Sequence, residues 1–206
     1  MRSSALGSYP AALRIVALVV MFACLAGLSG CWVSSINPLY EESFLFKVDP
    51  DVILDPSFEG NWGVEDEGCQ WTLEIIAKEK AYNLTMTPSS KCKPGEKTSK
   101  YEGRLVKLDS HVFLDLVPDQ EVVCDLCLPL HNLFLANIEK ASLSLAPIDY
   151  EWLQKSADQK TLTLQTLSGR PDVITSSSKE LKDFVRKYAD DKSVFKPVKN
   201  LVLKRE

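Results

Sequence analysis

Gln70-Trp71-Thr72-Leu73-Glu74-Ile75-Ile76-Ala77 and Tyr82-Asn83-Leu84-Thr85-Met86-Thr87 are two apolar or β-branched runs separated by the polar stretch Lys78-Glu79-Lys80. In the first run Trp71, Leu73 and Ile75 alternate with Thr72 and Glu74. Successive strand side chains point to opposite faces, so one set turns inward and the two runs read as a β-hairpin. The same short period begins at Gly60, with Glu65, Asp66 and Glu67 as the charged tip before Trp71. Downstream, 88–99 holds Pro, Gly, Ser and the lysines Lys91, Lys93 and Lys97 without apolar period, and reads as a loop. Further strands are expected over 101–108, 111–117, 128–138, 142–147 and 161–167. About seven strands leave sheet edges that a closed barrel hides, so the expected fold is mainly β, an antiparallel barrel or strongly curved sheet.

One or two helices are expected near the C-terminus. A short one over 149–155 carries Trp152 and Leu153 after Pro147. The other opens on Ser177 and Glu180, the spacing of a capping box, in which each side chain satisfies a free backbone N–H at the helix start. Leu181, Phe184, Val185 and Tyr188 then share one face, and Lys182, Asp183, Arg186 and Lys187 are expected to face water. Beyond Ala189 the tail, with Lys192, Lys196, Lys199, Lys204 and Arg205, reads as a solvated end.

With 45% apolar and 25% charged residues among 206, the chain is composed as one ordinary globular domain plus an appendage. Its net charge of −4 gives no concentrated basic face to replace phosphate counterions, which argues against nucleic acid as a partner. Six cysteines against two histidines point to compartment before catalysis.

The appendage comes first. Arg2 and Arg14 precede Ile15 to Gly27, an uncharged run of roughly 13 residues where a membrane-spanning helix needs roughly 20. The run therefore reads as the core of a cleaved signal peptide. Leu28-Ser29-Gly30-Cys31 follows and resembles the lipobox of bacterial lipoproteins: an aliphatic residue, two small residues that fit the signal peptidase, and the cysteine to be lipidated. The resemblance implies a signal peptide over 1–30 and a mature N-terminus at Cys31, tied to membrane lipid through covalent acyl chains. Several chains together hold a protein on a bilayer where a single one is marginal. Trp32 stands where an Asp would, by resemblance to enterobacterial sorting, favour the inner membrane. The expected location is the cell membrane or the outer membrane, with the domain outside the cytoplasm. Residues 31–43 then form the lipidated N-terminus and a tether, and 44–206 a single β-rich domain.

Asn37-Pro38-Leu39-Tyr40 resembles the start of a family of uncharacterised bacterial lipoproteins, a resemblance that implies no activity. Gly60-Asn61-Trp62 resembles the Gly-x-Trp signature of lipocalin-like barrels, where the indole plugs one end and the glycine allows close backbone approach. That likeness makes the barrel interior a candidate pocket for an apolar ligand, with Trp62, Trp71, Phe113 and Phe134 as wall residues. The bland alternative is that Trp62 is simply a core residue.

Once Cys24 leaves with the signal and Cys31 carries lipid, Cys69, Cys92, Cys124 and Cys127 remain, and export favours disulfides. Cys69 precedes one strand of the hairpin and Cys92 follows its partner, so Cys69–Cys92 with Cys124–Cys127 is the preferred pairing. Cys124-Asp125-Leu126-Cys127 also has the spacing of thiol-disulfide motifs, though no helical period supplies the dipole that activates such a thiol. With one close pair and His131, the thiols do not make a typical zinc set, and no metal or cofactor is expected. Asp49, Asp51 and Asp55 lack the Gly and Glu of a calcium loop, since Leu54 and Gly60 stand there, and read as a solvated acidic turn. No nucleophile elbow, phosphate loop or dinucleotide fingerprint is present. The chain is therefore expected to be a binding or structural module of the envelope, with a periplasmic thiol-disulfide protein using Cys124 and Cys127 as the alternative. A bound apolar ligand or an envelope protein would be its partner.

Overall fold

The computed structural model describes residues 32–41, 49–66, 68–93, 95–119 and 129–206. Two short strands come first, β1 (Ser34–Ser35) and β2 (Val52–Ile53). A meander follows: β3 (Gly60–Asp66), β4 (Cys69–Lys78), β5 (Ala81–Pro88), β6 (Ser99–Leu108), β7 (His111–Pro118), β8 (His131–Ile138) and β9 (Ser142–Pro147). Helix α1 (Tyr150–Asp158), β10 (Thr166–Leu167), β11 (Arg170–Ile174) and α2 (Ser178–Tyr188) intervene before β12 (Val202–Arg205).

Each strand from β3 to β9 pairs antiparallel with the next, and β12 slots between β9 and β3 to close an eight-stranded barrel. The hairpin sits where the alternation puts it. Leu73 faces Met86 and Ile75 faces Leu84 across β4 and β5, both pairs on the inner side. Gly103 on β6 makes the tight filling possible, because a Cβ there would lie 2.7 Å from Leu84 Cδ1 and 3.0 Å from Leu114 Cδ1.

Two apolar clusters result. The inner one gathers Trp62, Leu73, Tyr82, Leu105, Leu114 and Leu203 inside the barrel. The outer one lies between the barrel wall and the helices, joining Val106, Phe113 and Leu133 to Leu153, Leu181, Phe184 and Val185. Fully burying one such side chain stabilises by about 1.5–3 kcal/mol, which fastens α2 to the wall. Both expected helices are present. Asp149 caps α1 by accepting from the Trp152 N–H, and the Ser177–Glu180 capping box is complete.

Three expectations need correction. The stretch taken for a tether is part of the domain as far as Glu41. Val33, Leu39 and Tyr40 are buried in the outer cluster, and β1 pairs with β8 on one side and β11 on the other. The solvated tail is in fact the closing strand, with Leu203 inside the barrel, because the alternation of Leu203 with Val202 and Lys204 is too short to read alone. The strand expected over 161–167 shrinks to β10, and β11 beside it went unread.

Candidate functional site

One end of the barrel is sealed. The Trp62 indole is wholly buried, and its Nε1 donates to the Phe58 carbonyl at 3.0 Å. Phe58 packs edge-on to Tyr82 with ring centroids 4.9 Å apart. The Tyr82 hydroxyl accepts from the Asp55 N–H at 2.6 Å; burial pushes its ionisation above the ordinary phenol range, so it stays a neutral bridge. Beneath the indole lies the Arg205 guanidinium, 4.2 Å from the ring centroid. It donates to the carbonyls of Glu59 at 2.9 Å, Lys140 at 3.0 Å and Ser57. Arg205 thus joins the loop before β3, the β8–β9 turn and the closing strand. No local pattern in a Lys/Arg-rich tail marks this role.

The four expected pocket residues do not converge on one cavity. Trp62 is the plug, and Trp71 is half-buried on β4 across from Pro88 on β5, outside the inner cluster. Phe134 is an inner residue at the rim where β8 and β9 part, packed edge-on against Trp32 at 5.3 Å. Phe113 points the other way, into the outer layer, with its ring 5.6 Å from that of Phe195. Its placement follows from strand parity: Val112, Leu114 and Leu116 are the inner set of β7, which puts Phe113 outside.

A polar recess lies on the outer wall instead. A cavity of about 570 Å³ is lined by Tyr40, Lys78, Tyr101, Arg104, Asp119 and His131, among others. Beneath it the wholly buried Asp115 carboxylate accepts from the Leu39 N–H at 2.7 Å and lies 2.7 Å from His131 Nδ1. An ionised carboxylate can only accept, so in this contact Nδ1 carries the proton and donates to Asp115. Tyr40 lies edge-on to His131 and beneath the Arg104 guanidinium, whose carbon is 4.4 Å from the ring centroid. Arg104 binds Glu102 through Nη2 at 3.2 Å, while its buried Nε has no hydrogen-bond partner among the described residues. The arrangement offers a fixed cation and an oriented imidazole to a small polar molecule.

A buried ion cluster secures α2. Lys182, expected in water, is buried and holds Asp49 at 2.7 Å and Asp51 at 2.6 Å. Burial opposes the charge on Asp49, but hydrogen bonds from Lys182 and the backbone of Glu41 and Asp51 outweigh it and hold the carboxyl below its ordinary range. Burial likewise opposes the charge on Lys182, and the two carboxylates prevail and raise it. The acidic turn read as solvated is therefore half of an internal pairing.

Cys69 and Cys92 form a disulfide, Cα atoms 4.5 Å apart, pinning the long β5–β6 loop to the start of β4. Cys124, Cys127 and the segment Leu28-Ser29-Gly30-Cys31 lie outside the described residues. Among the described residues no three His, Cys, Asp or Glu side chains gather as a metal set, and no helix is long and apolar enough to cross a membrane.

The fold and its sealed end define a closed, up-and-down eight-stranded β-barrel of lipocalin-like form. Compared with known proteins, the chain matches no family model, no curated protein and no solved structure.

Proposed function

We propose that the protein is a lipoprotein of the bacterial cell envelope, held to the cell membrane or the outer membrane by acyl chains on Cys31, whose barrel stands outside the cytoplasm as a binding or structural module. The observation that carries this reading is Leu28-Ser29-Gly30-Cys31 at the end of an uncharged run, directly before Trp32, the first described residue. The Cys69–Cys92 disulfide supports an oxidising compartment.

The filled sealed end favours a structural role for the inner barrel over carriage of an apolar ligand around Trp62. The recess of Arg104 and His131 is the site for a small polar ligand. The recess volume lies within the usual range for small-molecule sites, about 300–1,000 Å³.

Fractionation of cells expressing the wild type or the Cys31→Ala variant, with the mass of the N-terminal peptide read on each, tests the anchor. The wild type is expected in the membrane fraction and the variant, uncleaved at the lipobox, free of acyl chains. A variant that still carries acyl chains would overturn the reading.

A further inference from the structure

On the reading that Cys31 is acylated, we infer that the barrel has no stand-off from the bilayer: the rim carrying Trp32 and Phe134 rests on the lipid headgroup layer, with the Trp32 indole as its contact.

The reach of the chain sets the distance between the barrel and the lipid. Ser34 and Ser35 are locked between β8 and β11, with Ser34 Oγ donating to Asn132 Oδ1 at 2.9 Å. Val33 is buried in the outer cluster. The chain is therefore fixed from Val33 onward, and Trp32 alone separates that fixed point from Cys31. Consecutive Cα atoms are about 3.8 Å apart, so two residues span roughly 7 Å, against roughly 40 Å for a twelve-residue tether. A lipid attached at Cys31 necessarily brings the surface around Trp32 to the membrane.

The chemistry of that surface fits the position. Trp32 is 47% exposed although it is one of the largest apolar side chains, and it lies edge-on to Phe134. Phe134 is the last residue of β8 facing β9 on this side, opposite Pro147, so the contact marks the barrel rim. A half-exposed indole is the group that membrane interfaces favour, amphipathic and at headgroup depth. The occupant of the free side is the bilayer that holds the acyl chains.

The test uses the full lipidated protein in phosphatidylethanolamine/phosphatidylglycerol vesicles containing phosphatidylcholine brominated high on its acyl chains. Subtracting the emission of Trp32→Phe isolates Trp32 from Trp62, Trp71 and Trp152, and the phenyl ring keeps the contact with Phe134. Roughly half or more of the Trp32 emission is expected to be quenched, as for an indole at the interface. The mass of the N-terminal peptide is read on the same sample. An acylated protein whose Trp32 emission is not quenched would overturn the contact and leave the anchor standing. An N-terminal peptide without acyl chains would overturn both. Should Trp32→Phe fail to fold, the brominated-lipid quenching of the wild type alone decides: no loss of emission relative to unbrominated vesicles counts against the contact, and loss supports it.

Discussion

The Arg205 guanidinium lies against the Trp62 indole, its carbon 4.2 Å from the ring centroid, and joins the last strand of the barrel to the first. Closing a sheet removes its edges, so this pair guards the seam where β12 meets β3. Replacing Arg205 with Ala is expected to cost about 1–3 kcal/mol, from the cation–π contact and the charged hydrogen bonds. Arg205→Lys should recover only part, since an ammonium cannot span the three carbonyls as a planar fork does. Urea unfolding measures both, and an unchanged midpoint for Arg205→Ala would show that the seam holds without it.

Lys182→Met leaves Asp49 charged and buried without its partner, a situation that costs about 3–5 kcal/mol. Asp49→Asn added to Lys182→Met should restore much of the loss, because the buried charge then disappears. A double variant no better than Lys182→Met would contradict this pairing.

The same cluster sets a pH window. Asp49 titrates below its ordinary value of 3.8 in the folded chain, so its contribution is full above that value and is lost as pH falls through the depressed folded pKa. Lys182 titrates above its ordinary value of 10.5, so its contribution is full below that value and is lost as pH rises through the raised folded pKa. The stability gap between wild type and Lys182→Met should be flat between about pH 5 and 10 and narrow on both sides. A gap that peaks inside that window would point to another titrating group.

Cys69–Cys92 spans a sequence separation of 23, and a link of that size stabilises by roughly 3 kcal/mol through the unfolded chain. Unreduced peptide mapping should recover Cys69 joined to Cys92. Either cysteine joined to Cys124 or Cys127 would contradict it.

Asp115→Ala strands two donors, the Leu39 N–H and His131 Nδ1–H, and should cost about 2–6 kcal/mol at about 1–3 kcal/mol for each buried orphan. In the wild type the Nδ1–H proton should appear by NMR as slowly exchanging. Its absence would mean that the imidazole holds the other tautomer.

The parts of the fold that were legible share one property, a pattern complete within a few residues. Alternation over Trp71, Leu73 and Ile75 gave the central hairpin, and the spacing of Ser177 and Glu180 gave the start of α2. Arg205 was hidden because its partners, Ser57, Glu59 and Lys140, lie far away in sequence. Lys182 has the polar character of an exposed helix position, and only the approach of Asp49 and Asp51 from another part of the chain makes burial tolerable.

The wall recess escaped for a similar reason. Tyr40, Arg104, Asp115 and His131 come from a connecting segment and three different strands, and no spacing unites them. The region taken for a tether was misread because β1 is two residues long and alternation needs more than two to be seen.

The most direct test of the account is the mass of the N-terminal peptide of the protein extracted from membranes. The expected chain begins at Cys31 and carries diacylglycerol on its sulfur. A chain that retains residues 1–30, or begins elsewhere without acyl groups, would contradict it.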